Sequence, residues 1–145
     1  MNPDGPARET CEDCSDAKYR LGLETATELA GNEAVQAFLA DLRPVSPAAS
    51  RLVVETVFGS LHHLPGLDQR ERALVTLTAL AVLGDTGKEL IIHLGIAHRI
   101  GVPPTTVVAA FTHLSAYAGF PRTLNALAVA KRFYAGQGVL PPEEQ

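Results

Sequence analysis

The sequence holds no tryptophan, one methionine and two cysteines. Two thiols are too few for the disulfide framework that stabilises small secreted domains. Lysine and arginine number 12 against 16 acids, a formal charge of -4, and no stretch gathers the bases into a stripe. That argues against nucleic acid as the main partner, since such binding rests on clustered cations. No apolar run approaches the roughly 18 residues of a membrane span; the longest, Ala73 to Gly84, is shorter and contains Thr76 and Thr78. The first residues, MNPDGPARETCEDC, lack the basic head and apolar core of a signal sequence, so a cytoplasmic location is expected. What is present is a chain of 145 residues, 46% hydrophobic and 19% charged, which describes one globular domain with its own core.

The two cysteines form one C-x-x-C, Cys11 and Cys14, in an acidic stretch. A zinc site needs about four ligands, and neither a second cysteine pair nor a nearby histidine completes one. A redox dithiol is disfavoured by Glu9, Glu12, Asp13 and Asp16, which oppose thiolate formation. Two incidental thiols near a helix start is the plainer reading.

Gly and Pro recur at helix-length intervals, and no turn-bounded alternation of period two appears, so the expected class is all-α, a single-domain bundle of about seven helices. Apolar positions from Ala17 to Leu29 mark a first helix ended by Gly31, and Asn32 opens a second through Leu42. Ser46-Pro47 is an N-cap followed by proline at the first helical position, opening a helix that stops before Pro65-Gly66. Asp68 with Glu71 is a capping-box pattern, and Thr86 with Glu89 repeats it. These open two consecutive helices joined at Gly84-Asp85. The first, Ala73 to Leu83, is apolar on nearly every side and therefore needs cover from its own chain or from a partner. Thr106 to Ala118 and Arg122 to Tyr134 complete the set. The helical domain is expected over residues 15–135, between tails at 1–14 and 136–145.

Pro65-Gly66-Leu67, Arg72 to Leu77, Leu83-Gly84, then Glu89-Leu90 with His93-Leu94, Gly101-Val102 and Tyr117-Ala118-Gly119-Phe120-Pro121 together resemble the carboxymuconolactone decarboxylase family. Tyr19 to Gly22 and Phe58-Gly59 sit at matching separations. The resemblance implies an alkyl hydroperoxidase D-like helical fold assembled as a trimer or hexamer. The family's peroxidase-like branch carries C-x-x-C-x-x-x-H ending where His93 stands. Thr86 and Glu89 occupy the cysteine positions here, which places the chain with the decarboxylase branch and disfavours a thiol peroxidase. The decarboxylase pattern differs in four places: Ser60 replaces an acid, Gly95 an arginine, Arg99-Ile100 an Asn-Asn, and Leu124-Asn125 an Asn-His.

Proton transfer at carbon needs a group titrating near neutral pH, which makes His93 the first candidate acid/base. Glu89, one turn earlier, shares its face and is placed either to orient the imidazole or to cap the helix. His113, amid Thr112 and Ser115, is the third catalytic candidate. Ser60, His62, Arg72, Tyr117 and Asn125 are candidates for binding substrate. His62 and His63 are neighbours on one helix in this reading, so at most one faces a pocket. Arg72 is suited to a carboxylate. Metal is not expected: His93 and His98, five apart, lie on different faces of a helix. The resulting expectation is a cofactor-independent enzyme acting by histidine proton transfer on a small cyclic acid, lactone or enolisable compound, either a decarboxylase-like lyase or a diverged isomerase, dehydratase or cyclase. The alternative is a non-catalytic oligomeric relative.

Overall fold

The computed structural model describes the backbone of residues 7–140 and the side chains of residues 14–140. Among them the regular structure is helical throughout, as the punctuation by Gly and Pro requires. The α-helices are α1 (Ala7–Ala30), α2 (Asn32–Leu42), α3 (Pro47–Val53), α4 (Gln69–Leu83), α5 (Gly87–Arg99), α6 (Pro104–His113), α7 (Ser115–Ala118) and α8 (Phe120–Gly136). Since α7 is a single turn, seven exceed one turn. The first helix begins at Ala7, well before Ser15, because the acidic stretch contains no Gly or Pro to stop it. The chain divides into two compact units, Met1–Gly66 and Leu67–Gln145.

In the first unit α1 packs on α2 and on the segment that follows α3. Sequence pattern alone suggests one helix from Pro47 to the Pro65-Gly66 stop. Instead α3 passes into a π-helical turn, Val54–Phe58, then a break at Gly59-Ser60 and a 3-10 turn, Leu61–His63. The Gly59 amide closes the π turn on the Val54 carbonyl at 2.9 Å. The cause lies across the contact. A Cβ on Gly22 would run into the Val54 carbonyl, and one on Gly59 into the carbonyls of Lys18 and Glu55. Helix α1 therefore meets this turn backbone to backbone, and the wider turn lets it approach. Ala26, Val35, Leu39 and Val54 form the core beside that crossing. At the surface Arg51 pairs with Asp16 and Glu55, each at 2.5 Å, and lies over the Tyr19 ring.

In the second unit α8 packs against α4, α5, α6 and α7. The core comprises Leu77, Leu94, Val107, Phe111 and Tyr134, with small residues Ala73, Ala81, Ala97, Ala126 and Ala130 between them. Full burial of each large apolar side chain contributes about 1.5–3 kcal/mol. The Tyr134 phenol sits in this core, and the loss of water pushes its pKa up to about 12. The box at Asp68 forms as its pattern predicts: Asp68 accepts from the Glu71 amide at 2.8 Å, and Glu71 accepts from the Asp68 amide at 2.7 Å. The helix expected over Thr106 to Ala118 is interrupted at Leu114, whose amide is shared between the Ala110 and Phe111 carbonyls.

Helix α4 buries Ala73, Leu77 and Ala81 but leaves Val75, Val82 and Leu83 on the surface. The chain by itself covers only one face of it.

Gly59→Ala is expected to lower stability by about 1–3 kcal/mol, the usual cost of overpacking a close contact. A denaturation midpoint within error of the parent would show that the glycine crossing is not a tight one.

Candidate functional site

The residues proposed from sequence fall into separate neighbourhoods. In the first unit, the Ser60 hydroxyl donates to the Glu55 carbonyl at 3.0 Å, tying off the break after the π turn. His62 stacks on Phe58, with ring centroids 5.2 Å apart. His63 Nε2 lies 3.0 Å from the Thr25 hydroxyl. Both histidines stand on the 3-10 turn, not at the end of an α-helix as the pattern suggested.

In the second unit His93 is half-buried on α5, with Leu90 and Leu94 of the same helix in the core. Glu89, one turn earlier, is exposed. Arg72 is half-buried on α4. His113 and Tyr117 are both exposed, their rings tilted together at 5.3 Å, and Tyr117 is 77% accessible. Among the described residues no three His, Cys, Asp or Glu side chains gather as a metal site would require. Cys14 is an exposed free thiol, while the side chain of Cys11 lies outside the described residues.

One concave feature of this unit is a cleft of about 270 Å³ between the end of α4, the start of α5 and one face of α8. Its floor is apolar: Leu80, Ala81, Leu90, Ala126 and Val129. Its polar rim is Asp85, Thr86, Arg122, Asn125 and Arg132. Of the sequence-derived candidates only Asn125 lines it. Arg122 and Arg132 were missed, although the signal was there. Residues 122, 125, 129 and 132 recur at the three- and four-residue spacing that puts side chains along one helix face.

The start of α5 explains the cleft's shape. Thr86 was expected to cap α5 in a reciprocal box with Glu89, and it does not. Its backbone, at φ -109° and ψ 29°, is not the extended conformation of a cap, and its side chain makes no cap bond. The hydroxyl donates instead to the Leu80 carbonyl at 2.7 Å, which also accepts the Gly84 amide at 3.2 Å. An Arg122 N–H donates to the Leu83 carbonyl of the same turn, with the guanidinium over Gly84. A cation at a helix C-terminus is favourable there. The open end of α5, with its partial positive charge, thus faces a cleft whose rim carries two arginines and one aspartate.

The described residues form an all-α protein, consistent with the alkyl hydroperoxidase D type. The model of the carboxymuconolactone decarboxylase family matches residues 47–132, from α3 through most of α8. The 4-carboxymuconolactone decarboxylase of Acinetobacter baylyi is 30% identical over 124 residues, 86% of this chain and 92% of that protein. The nitrosuccinic acid decarboxylase npaB of Metarhizium robertsii is 28% identical over 111 residues, 77% of each chain. The chain belongs to the carboxymuconolactone decarboxylase family. Among its described residues no helix is long and apolar enough to cross a membrane.

The two readings of Thr86 separate by substitution. Thr86→Ser should keep stability within a few tenths of a kcal/mol, and Thr86→Val should cost about 1 kcal/mol, the worth of one hydrogen bond. Thr86→Asp, which strengthens a true N-cap, is expected to destabilise by setting a carboxylate against the Leu80 carbonyl. A rise in melting temperature for the aspartate would restore the capping reading.

Proposed function

We propose that this chain is a decarboxylase-type lyase acting on a small acid whose carboxylate is conjugated to an electron acceptor, with His93 as the proton donor. Both named relatives are decarboxylases, and their names describe acids that share this chemistry: an unsaturated lactone in one case, a nitro compound in the other. In such an acid the bond to the carboxylate carbon breaks, CO2 departs, and the electron pair moves into the acceptor. A proton must then reach carbon. An imidazolium donates it and is reprotonated from solvent, so the cycle balances without a redox partner.

The observation that carries this reading is the position of His93. It follows cleft-lining Leu90 by three residues on α5, so the two side chains project to neighbouring parts of one helix surface. Half-burial suits an acid/base group, because it retains a path for solvent protons while weakening the competition from water. Glu89 is exposed one turn before it, within reach of orienting the imidazole. His113 with Tyr117, and Arg72, are further members of the proposed machinery. A second reading, a relative that binds without catalysis, draws support from Ser60, whose hydroxyl serves the backbone where the family pattern has an acid.

His93→Gln is expected to slow CO2 release by about 10²–10⁴-fold, the usual weight of a positioned acid/base. Purified protein would be incubated with 4-carboxymuconolactone and with nitrosuccinate and the evolved CO2 measured. Unchanged turnover in the variant would remove His93 from the mechanism. No CO2 from either acid would favour the binding-only relative.

We also propose that the chain assembles as a trimer or hexamer. Leu83, 68% accessible, and Val75, 55%, lie on the face of α4 that the chain does not cover, and burial of such a face against a second copy is favourable. Light scattering should give a mass three or six times the 15.4 kDa of one chain. A monomer at micromolar concentration would count against assembly.

A further inference from the structure

We infer that Cys11 and Cys14 form a dithiol site on α1, which small-molecule disulfides convert reversibly to an intrahelical disulfide. The pair stands apart from positions 86 and 89, where the peroxidase-like branch keeps its cysteines, and does not depend on the decarboxylase reading. The reason lies in where the first helix begins. Sequence pattern opens that helix at Ser15 and leaves the cysteines in a tail. Helix α1 instead runs from Ala7 to Ala30 and takes both cysteines into its second and third turns.

Helical backbone fixes the separation of the two positions. Residues three apart on an α-helix have Cα atoms about 5 Å apart, from a rise of about 1.5 Å per residue and a radius of about 2.3 Å. That falls within the span of about 4.4–6.8 Å that a disulfide bridges. The sequence has no third cysteine, so within one chain each thiol has only the other as a partner.

The acids that disfavour a redox pair on paper fall elsewhere on the helix. At about 100° per residue, positions 9, 12, 13 and 16 each lie at least about 100° round the axis from both cysteine positions. Position 18 lies within about 40° of both, and it is a lysine. Asp16 is also neutralised by Arg51, at 2.5 Å. A cation on the thiol face and solvent access to Cys14 are the surroundings in which a cysteine attacks a disulfide. The Ser15 hydroxyl donates to Glu55 at 2.9 Å, which fastens α1 to the π turn directly after Cys14.

Exchange runs in two steps. The Cys14 thiolate attacks one sulfur of the small disulfide, forming a mixed disulfide and releasing one thiolate, which takes up a proton. The Cys11 thiolate then attacks the Cys14 sulfur, closes the intrahelical bond and releases the second small thiol. Two protein thiols are oxidised, one disulfide is reduced to two thiols, and the two protons leave with them. A dithiol reductant reverses the sequence.

The test treats the reduced full chain with bis(2-hydroxyethyl) disulfide, an uncharged reagent, and reads the intact mass. The parent is expected to lose two hydrogens while remaining a single covalent chain, and dithiothreitol is expected to restore it. Cys11→Ser should instead retain one mercaptoethanol unit on Cys14, because the second step has no attacking thiol. In that variant Lys18→Glu should slow the attack about two- to fivefold, the weight of an exposed charge, and Glu12→Lys should change it less. Two retained mercaptoethanol units in the parent, disulfides between two copies of the chain, or a stronger effect of Glu12→Lys than of Lys18→Glu would each overturn the assignment.

Discussion

The second unit depends on how the chain turns between α4 and α5. Gly84 and Asp85 both take positive φ, 73° and 53°. Glycine adopts this freely, and aspartate is among the few side chains that tolerate it. Two side chains then close the turn. Thr86 gives its hydroxyl proton to Leu80, and Arg122 reaches from α8 to Leu83. Both acceptors are carbonyls of the last turn of α4: Leu80 takes the Thr86 hydroxyl besides the Gly84 amide, and Leu83 takes the guanidinium. One bond thus joins the start of α5 to the end of α4, and the other ties α8 to that end. The cleft lies between these two helix ends and one face of α8.

The same turn shows what can be read in a sequence and what cannot. Asp68 with Glu71 and Thr86 with Glu89 are the same pattern on paper. The first forms its reciprocal box. The second does not, because the threonine hydroxyl is turned to the Leu80 carbonyl six residues back, as a second donor beside the Gly84 amide. Spacing rules see the donors and acceptors of one helix end and miss those of the preceding one. The π turn at Val54–Phe58 was hidden for a related reason. Gly22 and Gly59 each look like ordinary interruptions, and their purpose emerges only when α1 lies across the turn.

Helix number and class were legible because Gly and Pro punctuate the chain and apolar spacing marks the faces. The site was legible only in part. His93 drew notice as the titratable group on an apolar helix at a family-matching position. Histidines 62 and 63 drew notice for the same chemistry, yet His62 stacks on Phe58 and His63 meets Thr25, both contacts within the first unit. Arg122 and Arg132 drew none, because exposed arginines are common and a cleft is a property of packing. Only the shared face of α8 could have pointed to them.

The division of labour between helices gives a physical reason why this scaffold tolerates changed polar residues. If the acid/base stands on α5, the polar residues of the α8 cleft face can vary without disturbing it, provided the α4–α5 turn holds the two helices in register. Ser60 in place of an acid, Gly95 in place of an arginine and Leu124-Asn125 in place of Asn-His all leave that turn untouched. The Leu124-Asn125 change bears on α8 itself: Leu124 is exposed, while Asn125 lines the cleft beside the arginines. An amide there, in place of an imidazole, removes a titratable group from that face of α8 and leaves a fixed donor and acceptor.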